Sequence, residues 1–105
     1  MGSIGVVQKQ PSERFPVAIS YANRLPSGVS LASATVAAIR LDDQSEASST
    51  LLYSTTAQVS GTDVVVGLQA GTDGKDYQVT VTATLSTGSP AYRLEDDFLV
   101  QVRAT

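Results

Sequence analysis

The run KDYQVTVTATLST, residues 75–87, alternates polar and apolar positions without a slip for nine residues. Tyr77, Val79, Val81, Ala83 and Leu85 fall on one side of an extended chain, and Gln78, Thr80, Thr82, Thr84 and Ser86 on the other. A period of two marks a strand with one face in a core and one outside. The segment is therefore predicted as a central antiparallel strand with its valine face buried. Residues 63–69 repeat the pattern with Val64, Val66 and Leu68 on one face. Residues 92–103 set Tyr92, Leu94, Phe98, Val100 and Val102 inward, with Asp96 as the exception.

Shorter strands are predicted at residues 4–8, 14–21 and 57–60. The second holds Pro16, whose missing N–H suits a sheet edge or a bulge. In residues 29–41, Val29, Leu31, Ile39 and Leu41 share one parity while Val36 breaks it, which predicts a long strand with a bulge near residues 34–36. Between these runs, Leu25-Pro26-Ser27-Gly28 and Gly61-Thr62 read as turns, residues 42–49 as a polar loop and residues 70–74 as a sharp connection. Residues 50–54 are short and apolar. Short strands about a dozen residues apart, with no convincing amphipathic helix and no internal repeat, predict an all-β antiparallel sandwich.

Length bounds this picture to one domain. A chain of 105 residues buries roughly 65% of its unfolded surface, enough for a single modest core. Hydrophobic residues make up 42% and aromatics only 6%, a composition of sheets rather than helix bundles. Residues 14–105 are read as the sandwich, and residues 1–13 equally as an arm that pairs with a neighbour's sheet edge or as the domain's own first strand.

Charge and residue inventory remove whole classes of function. Seven Lys+Arg against ten Asp+Glu give a net charge of -3, with the basic residues scattered, so a nucleic-acid partner is not expected. No apolar run approaches the ~20 residues of a spanning helix, and neither a membrane partner nor a secretion signal is expected. With no histidine and no cysteine, a catalytic triad lacks its base and zinc its usual ligands. Oxygen-ligand sites remain, in Asp42 and Asp43 with Glu46, in Asp73 with Asp76, and in Glu95 with Asp96 and Asp97. None has the spacing of a calcium loop, and they read as solvated turn carboxylates. A glycosidase pair would need a cleft and a stacking platform, and the chain has no tryptophan. The sequence thus predicts no catalytic residue, no cofactor and no metal.

The tyrosines divide. Tyr77 enters its strand straight after a turn, as in a tyrosine corner, where the ring fills the core and the hydroxyl bonds backbone. Tyr21, Tyr53 and Tyr92 are interface candidates, together with Ile4, Val6 and Val7, which are apolar without a clear inward partner.

Three stretches carry a resemblance: LPSGVSLASATVAA at residues 25–38, GTDVVVGLQAGTDGKDYQVTVTA at 61–83, and RLEDDFLVQV at 93–102. Over residues 14–103 the chain resembles a family of small phage and prophage virion proteins of the fiber-to-tail adaptor type, with an Ig-like or fibronectin type III-like sandwich. It departs from that pattern in having Val36 where a tryptophan is frequent and Ala70-Gly71 where two glycines are common. The resemblance implies a single Ig-like sandwich of about seven strands and a non-enzymatic structural protein of the tail or neck, joining fibers or neighbouring subunits to the particle. The implied partners are tail, neck or fiber subunits and copies of itself, in a virion assembled in the host cytoplasm. The alternatives are a capsid decoration protein and a surface- or carbohydrate-binding Ig-like module.

Overall fold

The computed structural model describes residues 2–21, 24–25, 28–52, 56–88 and 91–104, apart from the side chains of residues 2–4, 49, 56, 87 and 91. The elements in chain order are β1 (Gly2–Lys9), β2 (Phe15–Ser20), β3 (Leu31–Arg40), the helical turn α1 (Ser48–Leu51), β4 (Thr56–Ser60), β5 (Asp63–Leu68), β6 (Asp76–Gly88) and β7 (Ala91–Val102). The seven strands form one mixed sheet in the order β1-β7-β6-β3-β4-β5-β2. All neighbours are antiparallel except β1, which runs parallel to β7.

The sheet curls at β4. Among the described residues this strand meets β3 at Ala34–Ala57 and Thr35–Thr56 and then pairs with β5 from Gln58 to Ser60. One half of the sheet, β1-β7-β6-β3, therefore folds over the other, β4-β5-β2, as a sandwich-like domain. The long strands β6 and β7 set the long axis of a body measuring 44 × 23 × 21 Å.

Alternation decides what fills the space between the halves. The predicted inward face of β6 is fully realised: Tyr77, Val79, Val81 and Ala83 are completely buried and Leu85 nearly so. They meet Val64, Val66 and Leu68 of β5, Phe98, Val100 and Val102 of β7, and Ala34, Val36 and Ala38 of β3 in one apolar cluster. Each fully buried valine or leucine contributes about 1.5–3 kcal/mol relative to an exposed one. The tyrosine-corner reading holds in its geometry: the Tyr77 ring is buried and its hydroxyl accepts the Thr72 N–H at 2.9 Å.

Four expectations need correction. The bulge of β3 lies between Leu31 and Ser33 rather than near residues 34–36, so Ala34, Val36 and Ala38 point inward while Ile39 and Leu41 are only half-buried. Tyr92 is 62% exposed rather than inward, because the β6–β7 pairing shifts register between Thr84 and Gly88 and the tip of that hairpin is exposed at Ser86, Gly88, Tyr92 and Arg93. Residues 48–51, divided in the sequence reading between loop and apolar segment, form the turn α1, which buries Leu51 against the core together with neighbouring Leu52. Finally, the sandwich is not purely antiparallel, since β1 joins β7 in parallel.

Candidate interaction surface

The carboxylates are engaged in local structure. Arg40 forks onto Asp42 (Nε to Oδ1 3.1 Å, Nη2 to Oδ2 2.8 Å) and Lys75 approaches the same carboxylate at 3.0 Å. Hydrogen bonds from Arg40 and Lys75 hold the Asp42 carboxyl well below the usual carboxylate range. Asp43 accepts the Ser45 N–H at 3.0 Å and Glu46 the Ser48 N–H at 2.8 Å, and these bonds lower both acids. Asp76 pairs with Arg103 at 2.7 Å, and Asp73 accepts the Ala104 N–H at 2.8 Å. Among the described residues, no three Asp, Glu, His or Cys side chains group as metal ligands would.

Among the described residues the buried polar side chains are Lys9, Ser48, Asp96 and Asp97, and Lys9 and Asp96 lie deepest. Asp96 occupies an inward position of β7, 3% exposed, and is paired with Arg24 from the segment after β2. Arg24 also stacks over the Tyr21 ring, 5.3 Å from its centroid, a cation–π contact. The Tyr21 side chain is completely buried, and its hydroxyl lies against the Asp96 carboxylate without closing a well-formed hydrogen bond among the described residues. Burial first, and then the Asp96 charge, push the Tyr21 hydroxyl up to about 12. Lys9, at the end of β1, is 3% exposed and turns its ammonium onto the carbonyls of Gln10 (2.7 Å) and Ala70. Burial lowers its pKa, with Glu13 opposing.

An open trough lies between the ends of the sheet. β1 and β2 are the terminal strands, each paired on one side only, and they flank a trough of about 320 Å³. Gly5, Val6 and Val7 line it from β1, Val17 and Ile19 from β2, and Phe98 from its floor. Val7, Phe15 and Val17 face the core yet are only partly buried, because among the described residues no strand pairs with the outer edge of β1 or β2. Val6 is 55% exposed.

The sequence-predicted interface residues do not converge on one patch. Val6 and Val7 sit together on β1 beside Leu99 and Val100. Tyr92 lies seven residues from Leu99 along β7, about 23 Å away at ~3.3 Å per residue. Tyr21 belongs to the core, and Tyr53 and the Ile4 side chain lie outside the described residues. Sequence reasoning missed Val17, Ile19 and Phe98 as lining residues. Its one available signal was Pro16, which marked β2 as an edge.

A family model described as podophage GP4 fiber-tail adaptor protein gp77 matches residues 9–101. The chain belongs to this fiber-tail adaptor family. It is thus a phage structural protein of the adaptor class, as the sequence resemblance implied. No curated protein matches the chain, and no solved structure does. Within the adaptor chain the matched region begins at Lys9, so it contains both β2 and the floor of the trough but little of β1.

Proposed function

We propose that this adaptor acts without catalysis as a rigid joint in the virion, assembled in the host cytoplasm in several copies and contacting tail and fiber proteins as well as its own neighbours. The family match over residues 9–101 carries the reading. Other observations support its details. The domain is of the Ig-like type in this reading, because β2-β5-β4 and β3-β6-β7 reproduce the B-E-D and C-F-G strand neighbours of that fold. A net charge of -3 disfavours nucleic acid as a partner. Val6, Val7 and Tyr92 supply the contact surfaces, and residues 1–13 act as an arm whose strand β1 stabilises the assembly as well as the β7 edge.

The test is genetic and structural. Particles produced without this chain should retain tails and lack fibers in electron micrographs, and fibers should return when the chain is supplied in trans. Normally fibered particles in its absence would overturn the proposal.

A further inference from the structure

We infer that the trough between β1 and β2 receives one extended, uncharged segment of another protein of the particle, which adds as a strand to one or both edges; this rests on the adaptor reading above. Natural sheets protect exposed edges with charged side chains, prolines, bulges, covering loops or closure. Here Pro16 removes one donor from β2 and a register shift between Ser3 and Val6 interrupts β1, but β2 contains no charged residue, and the only one in β1 is Lys9, whose ammonium is turned onto two carbonyls. Neither strand therefore presents an outward charge, and the two edges face each other across an apolar floor.

The lining defines the occupant. All its residues are uncharged, and a charged side chain entering would lose hydration with nothing to pair it. At about 320 Å³ the trough lies at the low end of small-molecule pockets, ~300–1,000 Å³. Its lining takes in residues 5–7 of β1 and 17–20 of β2, a length that matches three or four residues of extended chain, about 10–13 Å. Partly buried Val7 and Val17 line the trough and offer apolar contact to alternate side chains of the incoming strand.

The same geometry argues against a second copy as occupant. A concave trough between two edges admits a single free strand, not the edge of a folded sheet. Every strand of this chain is already paired within its own sheet among the described residues, so a folded copy has none to give. An extended segment of a different chain meets the requirement, and main-chain hydrogen bonds give such a complex its affinity.

Ala18 and Val6 are exposed positions at the trough, so a lysine at either guards an edge without entering the core. Ala18→Lys and Val6→Lys should each reduce incorporation into chain-deficient particles at least tenfold while melting as wild type does, and Ala37→Lys, exposed on β3, should incorporate normally. Should either lysine variant lose stability, the decision passes to Ala18→p-benzoylphenylalanine irradiated in assembled particles, with the cross-linked chains identified by mass spectrometry. A cross-link to a different virion protein supports the inference. Wild-type incorporation of both lysine variants, or a cross-link only to a second copy of this chain, overturns it. Fiberless particles in the deletion alongside normal incorporation of both lysine variants would leave the adaptor reading standing and remove this one alone.

Discussion

Val81→Asp tests the central packing claim. Val81 is completely buried in β6, with Val36 of β3 on one side and Asp96 of β7 on the other in register. The substitution forfeits about 1.5–3 kcal/mol of apolar burial and places a carboxylate in the core, where an unpaired ion costs several kcal/mol more. It also sets that charge directly opposite Asp96, whose cationic partner Arg24 is already committed, and like charges in one site repel. The total of at least about 5 kcal/mol matches or exceeds much of the ~5–15 kcal/mol stability of a native domain. The variant should be unfolded at 25 °C by circular dichroism. Val81→Ala should remain folded, less stable by about 1.5–3 kcal/mol in urea titration. Thr82→Lys, pointing outward opposite Glu95, should stay within ~0.5 kcal/mol of wild type. A Val81→Asp protein that melts with wild type would refute the face assignment.

Three further outcomes are expected. Gly71→Ala should lower stability by about 1–3 kcal/mol in urea titration, because Gly71 has φ +99° and an added Cβ would lie 2.9 Å from Val102 Cγ2; no loss would refute that backbone conformation. The Tyr21 hydroxyl ionises at about 12 in the fold instead of 10.0, so its stabilisation is complete below the unfolded value and is lost as pH rises from ~10 to ~12; denaturation between these values should show a decline that Tyr21→Phe reduces. Deleting residues 1–12 should leave a folded monomer by circular dichroism that no longer enters particles, and either an unfolded product or normal incorporation would refute the arm assignment.

What the sequence displayed depended on contrast between faces. β5 and β6 were legible because β-branched and polar residues alternate strictly, as at Val79-Thr80-Val81-Thr82. β3 was misread because Ala34, Ala37 and Ala38 give both faces nearly the same hydropathy, and Ile39 then drew the inward parity onto the wrong side. α1 is one turn of four residues, too short for a helical period. Asp96 was visible as an exception but not its partner, since Arg24 lies 72 residues away and reaches it only through the topology. The trough belongs to that same level: a strand's pattern states which face is buried, while the order of strands decides which edges stay open. The family resemblance was legible for a different reason, since turns and strand entries leave motifs in sequence even where edges do not.

The composition also constrains how this adaptor can bind. Interface affinity ordinarily concentrates in buried tryptophan, tyrosine and arginine anchors, whereas this chain has no tryptophan and four tyrosines, of which Tyr21 and Tyr77 are consumed by the core. Backbone hydrogen bonds along an edge must then supply much of the attraction. At ~0.5–1.5 kcal/mol net each, four of them give about 2–6 kcal/mol before the cost of ordering the incoming segment is subtracted. These bonds alone leave a single site weaker than micromolar. In the multi-copy arrangement proposed above, several such sites would act together, and linked weak contacts gain ~10²–10⁴ in avidity. The uncharged edges and the scarcity of aromatic anchors thus fit the proposed multi-copy joint, in which each subunit holds its partner weakly and the copies together hold it securely.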